Sequence, residues 1–350
     1  MPVTAEAPRP QAAPPERGGA PIALSAADSA GQHVPVLLQE VCDWLEPHSG
    51  GTYVDCTVGN GGHAAAILAQ SSPNGRLLGT DADPAALEVA QHALKPFTGR
   101  YVLICANFRA VKETAQSHGF MPADGVLMDL GFSSRQIEAS GRGFSFLRDE
   151  PLDMRYDTSQ GTTAAHLVNR TPEDDLADLL FQYGEEHRSR RVARAIVARR
   201  ERAPIRTTRE LAELIQAALG GRHGRAHPAT KSFQALRIAV NDELGALATA
   251  LASIGSILRP GGRLAVITFH SLEDRLVKHT FLAAPSENGG LRALTRRPIG
   301  PSREEVLRNR RARSAKLRVA ERVTEDEARA ELAALSPPQR HGHERRGVGE

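Results

Sequence analysis

Three short apolar runs of the chain each end in an aspartate, and these aspartates are the residues best placed to do chemistry. They are Asp55, Asp81 and Asp129, and Gly131 follows the last of them closely. The carboxyl ends of parallel strands meet at one edge of a sheet, where ligands of α/β proteins bind. The pattern therefore predicts a crevice whose carboxylates accept hydrogen bonds from the hydroxyl and amino groups of a ligand.

A glycine-rich loop follows the first of these runs. Residues 59–63 read Gly-Asn-Gly-Gly-His and lead into an alanine-rich helix, and Asp81 lies 20 residues beyond Gly61 (81 − 61). Glycine allows a sharp turn and leaves room for a ligand close to the backbone. An acidic residue at this distance in a βαβ unit can accept both hydroxyls of a ribose.

Asp55 helps to choose between two kinds of cofactor. The loop also satisfies the Gly-x-Gly-x-x-Ala fingerprint of dinucleotide-binding proteins. However, the charge of Asp55 just before the loop would repel a pyrophosphate and could help to hold an ammonium group. S-adenosylmethionine has an ammonium group, a ribose and no phosphate, so it is the cofactor that the residues favour.

Alternating apolar segments indicate the elements that position these residues. Strands are predicted at 52–57, 76–81, 101–105 and 124–129, separated by helices at 63–70, 84–94 and 108–118. Such alternation is typical of an α/β fold with a doubly wound parallel sheet. A helix at 234–257, a strong strand at 263–269 and weaker strands near 291–296 and 315–321 complete the predicted sheet.

The pattern is interrupted by a long polar, mostly helical segment. We therefore expect an all-helical domain, residues 137–233, inserted between the fourth and fifth strands of a core formed by 31–136 and 234–325. The alanine- and proline-rich residues 1–30 are predicted to be a disordered tail. Residues 326–350 are predicted to be a mobile C-terminal tail.

Composition limits the class of protein. The 350 residues are 41% hydrophobic, enough for a sizeable core, and no apolar run approaches the roughly 20 residues of a membrane span. The N-terminus does not resemble a signal peptide, so we expect a cytoplasmic protein with no membrane association. The three cysteines and thirteen histidines form no zinc or disulfide pattern, and we predict no structural metal.

The net charge of +3 is unevenly distributed. Residues 188–209 contain nine arginines and one acid, and residues 292–322 contain eleven lysines and arginines and three acids. Concentrated arginine suits contacts with the phosphates of a nucleic acid. Arginines on an exposed helix can equally form a solvated face, and charge alone leaves both interpretations open.

An ordered series of motifs extends from about residue 33 to residue 322, and it includes the predicted insert. The motifs are 33–38 HVPVLL, 59–63 GNGGH, 129–134 DLGFSS, 142–146 RGFSF, 151–155 PLDMR, 183–186 YGEE, 227–230 HPAT, 233–237 FQALR, 269–275 FHSLEDR and 311–318 RARSAKLR. On these motifs the chain closely resembles the bacterial small-subunit rRNA cytosine-N4 methyltransferases, the RsmH/MraW family.

The resemblance implies a Rossmann-like class I core that uses S-adenosylmethionine to methylate N4 of a cytidine in the decoding region of 16S rRNA. It also implies a cofactor pocket with a role for each matching position. These are Gly61, Gly62 and His63 at the methionine end, Asp81 at the ribose, Phe108 beside the adenine, and Asp129 and Gln136 completing the pocket. We attribute the contribution of His63 to its backbone rather than to its imidazole.

Two residues are candidates for the catalytic role. The exocyclic amine of cytosine is a poor nucleophile, and an acceptor for its N–H would help it to react and to lose a proton. Asp129 lies where many amino methyltransferases carry Asp-Pro-Pro-Tyr, but this chain has Asp-Leu-Gly-Phe. His270 follows the fifth strand and could face the same crevice or could be a core histidine. The sequence does not decide which residue accepts the proton.

Substrate contacts are predicted in the insert. Arg190, Arg191 and Arg194 could grip the RNA backbone. Phe144 and Phe146 lie in a glycine-punctuated loop and could support a base taken out of its stack, or they could pack the insert against the core. The expected partner is 16S rRNA within the small ribosomal subunit, and the chain could act as a monomer or a homodimer.

Other functions are compatible with parts of the pattern. The core alone would suit N-methylation of DNA or of a small molecule. An NAD-binding oxidoreductase would need a loop compatible with pyrophosphate. A non-catalytic ribosome-assembly factor could keep the fold without transferring a methyl group, although the complete set of crevice residues argues against it.

Overall fold

A seven-stranded sheet forms the centre of the computed structural model, which describes residues 35–131, 141–221 and 227–335. The strands lie in the order β3-β2-β1-β4-β5-β7-β6, with β1 to β5 parallel and β7 antiparallel to both β5 and β6. They are β1 (Thr52–Asp55), β2 (Arg76–Asp81), β3 (Tyr101–Cys105), β4 (Ala123–Asp129), β5 (Leu258–Thr268), β6 (Leu291–Ala293) and β7 (Lys316–Arg322).

Helices cover both faces of this sheet, which explains why its strands are continuously apolar. Neighbouring residues of one strand, such as Tyr53 and Val54 or Val126 and Leu127, belong to hydrophobic clusters on opposite faces. Side chains alternate across a strand, so a strand buried on both faces needs an unbroken apolar run. The core helices are α1 (Leu38–Leu45), α2 (Gly62–Gln70), α3 (Pro84–Ala93), α4 (Val111–Ser117), α10 (Glu243–Ile254), α11 (Ser271–Leu282) and α12 (Arg303–Arg308).

A helical domain is inserted between β4 and β5, and it has its own hydrophobic cluster. Local signals explain where its helices begin: three acids occupy the first turn of one, and Thr207 and Glu210 form a capping box at another. The insert contains α5 (Ala164–Arg170), α6 (Glu173–Gly184), α7 (Ser189–Arg200), α8 (Thr208–Ala218) and α9 (Thr230–Asn241). This architecture confirms the predicted α/β fold, with its Rossmann-like core and all-helical insert.

One predicted helix is in fact two. Residues 234–257 were expected to form a single helix, but Asp242 adopts a left-handed conformation (φ 46°) and separates α9 from α10. Leu236 in α9 packs inside the insert, whereas Leu247 in α10 packs against the sheet. The packing of the insert therefore extends past residue 233. The sequence does not reveal the break, because helix-forming residues lie on both sides of Asp242.

The chain ends are only partly described. Helix α13 (Glu325–Leu335) occupies the beginning of the segment predicted to be a mobile tail, while residues 336–350 and the predicted N-terminal tail, 1–30, lie outside the described residues. Within the described ranges, no helix combines the length and the apolar character needed to cross a membrane.

Candidate functional site

A pocket opens where the parallel strands β1, β2 and β4 end, close to the predicted carboxylates. The glycine loop and the start of α2 form one side, and residues after β4 and β5 form another. Its lining residues are Pro35, Val36, Cys56, Thr57, Val58, Gly59, Asn60, Gly62, His63, Asp81, Ala82, Phe108, Asp129, Leu130, Gly131, Tyr156, Phe269 and Arg311. Most of the predicted cofactor positions are therefore brought together at one place.

Two glycines of the loop are needed because their neighbours leave too little room for a side chain. A Cβ on Gly62 would lie 2.3 Å from Cγ of Pro35, and one on Gly61 would lie 3.2 Å from Cα of Ala90 in α3. Gly61 also has a φ of 82° at the start of α2, a conformation that favours glycine. The sequence was interpreted as leaving room for a ligand, but Gly61 is not in the pocket lining, and both glycines allow close packing of the surrounding elements.

The Asp81 carboxylate is fixed by backbone amides at the end of β2. One oxygen accepts a hydrogen bond from Gly59 N at 3.0 Å, and the other accepts one from Asp83 N at 2.9 Å. Burial raises the pKa of Asp81 to about 6, although these amides favour the charged form. A carboxylate oxygen has more than one lone pair, so Asp81 can still accept the two hydroxyls of a ribose.

Asp129 lies opposite the imidazole of His63. The Asp129 amide donates to Thr57 Oγ1 at 2.7 Å, which fixes the end of β4, and Asp129 Oδ2 lies 3.6 Å from His63 Nδ1. His63 Nε2 lies 3.0 Å from the carbonyl oxygen of Val36, which can only accept, so Nε2 carries a hydrogen. The imidazole therefore turns Nδ1 towards Asp129, a contact that our emphasis on the His63 backbone had missed.

Asp129 lies in a setting that disfavours its charge. Burial, followed by the nearby carboxylates of Asp55 and Glu273, raises the pKa of Asp129 well above its usual range. A carboxylate in such a setting binds a proton more strongly than an exposed one. This property suits a group that must accept a proton from a weakly acidic donor.

Two buried acceptor atoms at the pocket indicate what kind of ligand fits. Asn60 Oδ1 and Asp129 Oδ1 have no hydrogen-bond partner among the described residues, and both side chains belong to the pocket lining. Buried acceptors are normally paired, because an unpaired one costs about 1–3 kcal/mol. A ligand that brings N–H donors, such as an ammonium group or an exocyclic amine, would satisfy them.

Asp55 does not have the role that the sequence suggested. It is only 1% exposed and is not part of the pocket lining. Its carboxylate accepts a hydrogen bond from Thr57 N at 3.1 Å, and burial raises its pKa to about 7. Asp55 therefore shapes the turn after β1 and raises the pKa of Asp129, without facing the place where an ammonium group would bind.

The remaining predicted cofactor positions are Phe108 and Gln136. Phe108 opens a short 3-10 turn after β3 and lines the pocket beside Asp81 and Ala82. This position is consistent with the predicted contact with adenine. Gln136 lies outside the described residues, so its predicted role stays a prediction.

His270 caps a helix at the edge of the site. Its Nδ1 accepts a hydrogen bond from Glu273 N at 3.3 Å at the start of α11, and its Nε2 lies 3.1 Å from Glu273 Oε1. It is not in the pocket lining, although its neighbour Phe269 is. The geometry gives His270 a structural role, and its predicted catalytic role stays a prediction.

One cluster of side chains has the composition of a metal site. It contains Glu243, His270 and Glu273, whose potential ligand atoms lie within 4.8 Å of one another. However, Arg237 donates to both oxygens of Glu243, at 2.8 and 2.9 Å, and the Tyr156 hydroxyl donates to one of them at 3.0 Å. That carboxylate is therefore already paired with a cation. The cluster is explained as a buried ion pair that joins α9 to α10.

Tyr156 and Arg311 reach the pocket without having been predicted. Tyr156 comes from the insert, and its ring stacks on Phe144 with centroids 5.3 Å apart. Arg311 comes from the turn before β7, at the far end of the chain. Tyr156 directly follows the motif at 151–155, and Arg311 begins the motif at 311–318. These motifs are the only signal in the sequence that could have indicated the two residues.

The predicted substrate residues lie in the insert. Phe144 is buried there, and Phe146 stacks on His227 at 4.6 Å and meets Phe233 edge-on at 5.0 Å. Neither ring belongs to the pocket lining, so contact with a base stays a prediction for both.

The predicted arginines project from α7. Arg190 and Arg194 are each 77% exposed and lie 3.7 and 3.6 Å from Asp174 and Glu173 of α6, and Arg191 is also exposed. Exposed pairs of this kind contribute little to stability. The three side chains therefore remain accessible to a partner.

Comparison with known proteins agrees with the resemblance. A family model described as the MraW methylase family matches residues 30–323. A protein of Thermomicrobium roseum named ribosomal RNA small subunit methyltransferase H is 50% identical over 308 residues, covering 84% of this chain and 94% of its own length. A protein of the same name from Bradyrhizobium diazoefficiens is 47% identical over 310 residues, covering 85% and 93%.

Among solved structures, an rRNA methylase from Streptococcus thermophilus overlaps with a TM-score of 0.41 and 11% identity, covering 84% of this chain and all of its own. The fold assignment rests on the strand order rather than on this overlap. The family model spans both parts of the core and the insert, and the relatives match over nearly their whole length. The chain belongs to the MraW methylase family.

Proposed function

We propose that this chain transfers a methyl group from S-adenosylmethionine to the exocyclic N4 of a cytidine in 16S rRNA. The observation that carries the proposal is a single pocket in which Asp81, suited to a ribose, lies near Asp129, whose buried Oδ1 needs an N–H donor. Membership of the MraW methylase family and the names of the relatives support the choice of substrate.

The residues of the pocket fit this cofactor. Asp81 would accept the ribose hydroxyls, Asn60 Oδ1 would accept from the ammonium group, and Phe108 would pack beside the adenine. Gly62 and His63 would line the methionine end. When bound, S-adenosylmethionine supplies an electrophilic methyl group on its sulfonium, so the protein has mainly to orient the nucleophile.

Asp129 would act on the cytosine amine. Its unpaired Oδ1 accepts a hydrogen bond from N4–H, which directs the nitrogen lone pair to the methyl group. As the N4 lone pair forms the new N–C bond, the methyl–sulfur bond of the donor breaks and its electrons stay on sulfur, which leaves as a neutral thioether. The N–H bond breaks with its electrons staying on N4, and the proton moves to the ionised Asp129 carboxylate. The raised pKa of Asp129 makes this carboxylate a stronger base than an exposed aspartate.

His63 would then take the proton from Asp129. Its Nε2 hydrogen is committed to the Val36 carbonyl, so Nδ1 is the atom that faces the carboxylate, at 3.6 Å. Catalytic hydrogen bonds often shorten only when the substrate is bound. Passing the proton to His63 Nδ1 restores the Asp129 carboxylate, and the proton leaves for water as the product is released.

The proposed substrate is a cytidine of the decoding region within an assembled small subunit. The folded insert offers a large surface beside the pocket, and the exposed arginines of α7 supply positive charge for RNA phosphates. A folded recognition domain with its own hydrophobic cluster suits a folded particle better than a flexible strand.

Labelled S-adenosylmethionine tests the choice of substrate. Small subunits, naked 16S rRNA and duplex DNA, prepared from cells lacking the modification, are incubated with the chain and compared. We expect labelling of the subunits and weak or no labelling of naked rRNA and DNA. Preferential labelling of naked rRNA would overturn the proposal of an assembled substrate, and labelling of DNA alone would overturn the choice of rRNA.

A further inference from the structure

One basic element of the core is not used by the proposed reaction. It is the 3-10 turn Arg310–Ser314 between α12 and β7, and we call its three arginines, Arg310, Arg311 and Arg313, the basic turn. The arginines of α7 lie in the insert, whereas Arg311 of the basic turn is itself part of the pocket lining. The basic turn therefore places positive charge at the catalytic pocket.

The basic turn is held firmly against the pocket wall. Ala312 and Ala315 are buried in the same hydrophobic cluster as Val36 and Leu37. Asn309 Oδ1 accepts a hydrogen bond from Arg311 N at 3.1 Å and caps the turn. One helical turn earlier, Glu305 Oε1 accepts from Leu37 N at 2.8 Å, so α12 and the basic turn are fixed to the segment that lines the methionine end.

The geometry of a 3-10 helix directs two of the arginines together. Residues three apart are eclipsed in such a helix, so Arg310 and Arg313 lie on one face. Both side chains are exposed, and no acidic side chain in the described parts of the protein lies within ion-pairing distance of either. By contrast, Arg190 and Arg194 of α7 each face an acid.

A nucleotide whose base enters the pocket leaves its phosphates outside, because they stay joined to the neighbouring nucleotides of the strand. Phosphate contacts position a strand without reading its sequence. Arg311 is the one arginine or lysine among the described lining residues of the pocket, and Arg310 and Arg313 are exposed beside it.

We propose that the basic turn grips the RNA backbone next to the target cytidine. Arg311 contacts a phosphate flanking the flipped nucleotide, and Arg310 and Arg313 contact phosphates that follow along the strand. This inference rests on the proposed function, because it takes the substrate to be RNA. In this arrangement the core docks the reactive nucleotide, and the arginines of α7 in the insert contact RNA farther from the pocket.

The test measures binding of the full chain to unmodified small subunits over a series of salt concentrations. For R310A/R313A we expect binding about tenfold weaker at low salt and a salt slope lower by roughly 1.4, since each phosphate contact to a single strand contributes about 0.7. The Kd for S-adenosylmethionine should stay within about twofold of the parent value. R310K/R313K should keep the parent slope, because a lysine still neutralises a phosphate.

A matched control removes two charges from the opposite end of the sheet. Lys95 lies just before β3 begins, and Lys278 lies in the second half of α11, which starts at the carboxyl end of β5; both are exposed. K95A/K278A should therefore keep the parent slope. An R310A/R313A slope equal to that of the parent, or an equal loss in K95A/K278A, would overturn the inference.

Arg311 needs a separate test, since it could instead hold the carboxylate of the cofactor. R311A should raise KM for subunits about tenfold and leave the cofactor Kd within about twofold. A weakened cofactor Kd with an unchanged salt slope would overturn the assignment of Arg311 to RNA. A parent chain that neither binds nor methylates subunits would instead contradict the proposed function, so the two failures are distinguishable.

Discussion

At the scale of single residues, the aspartates at the strand ends differ in what surrounds them. Asp55 is enclosed, Asp81 is held by two backbone amides, and Asp129 has one buried oxygen without a hydrogen-bond partner among the described residues. We therefore propose three different roles for the same residue type at three neighbouring strand ends: shaping a turn for Asp55, accepting hydroxyls for Asp81 and accepting a proton for Asp129.

The first prediction concerns Asp129. D129N keeps an oxygen that can accept the amine hydrogen bond but cannot take the proton. We expect cofactor affinity within several-fold of the parent and a kcat lower by about 10²–10⁴, the usual contribution of a general base. Calorimetry and single-turnover methyl transfer measure the two effects. If cofactor affinity and turnover fell in the same proportion, Asp129 would be a cofactor ligand and nothing more.

The second prediction concerns His63. H63Q can still donate a hydrogen bond to the Val36 carbonyl, but it has no basic nitrogen facing Asp129. We expect a kcat roughly tenfold lower, with its acidic limb moved to higher pH, because Asp129 then keeps its proton up to a higher pH. The pH profile of kcat measures this shift. An unchanged acidic limb together with a weaker cofactor Kd would limit His63 to holding the cofactor.

The third prediction follows from the pKa of Asp81, which burial raises to about 6. Hydroxyl donors favour the ionised carboxylate, and below pH 6 its population falls about tenfold for each pH unit. The Kd for S-adenosylmethionine should therefore weaken up to about tenfold from pH 7 to pH 5 and stay constant at higher pH. Calorimetry of the parent and of D81N measures the difference, and equal pH dependence in both proteins would refute the role of Asp81.

At the scale of elements, a buried ion pair joins the insert to the core where α9 meets α10. Arg237 is 7% exposed and binds both oxygens of Glu243, and the same carboxylate accepts from the hydroxyl of Tyr156 in the pocket wall. Asn241, the last residue of α9, donates a hydrogen bond to Met154 O and accepts one from Tyr156 N, so it holds the segment around Tyr156 beside this junction. The contacts around the break at Asp242 therefore hold Tyr156, a residue of the insert, at the pocket.

The fourth prediction tests this junction. R237A leaves a buried carboxylate without its cation, and we expect a loss of about 3–5 kcal/mol in the free energy of unfolding. The double variant R237M/E243M removes both charges and should lose clearly less than R237A. Urea unfolding followed by circular dichroism gives both values. A loss below about 1 kcal/mol for R237A would show that the pair is not important for stability.

Sequence patterns predict most of the core elements, because apolar runs that stop at an aspartate or a glycine are local signals. The break at Asp242 is not a local signal, since both sides favour helix and only the different packing of Leu236 and Leu247 requires it. The requirement for Gly62 likewise comes from Pro35, 27 residues earlier (62 − 35), and not from the loop itself.

At the scale of the whole molecule, the pocket is assembled from distant parts of the chain. Tyr156 comes from the insert and Arg311 from the segment between β6 and β7, and both line the same pocket as the glycine loop, which lies far from them in the sequence. Periodicity and spacing describe single elements, so they could not predict these contacts. Two further ion pairs, Arg142 with Asp83 and Arg275 with Glu185, connect the insert to the core.

The identity of the methylated atom is the sharpest test of the proposed reaction. Unmodified small subunits are treated with the chain and S-adenosylmethionine, and the rRNA is digested to nucleosides for mass spectrometry. We expect N4-methylated cytidine, formed by the parent and almost absent with D129N. A methyl group on carbon 5, on a ribose or on another base would contradict it, because the Asp129 acceptor would then have no amine proton to take.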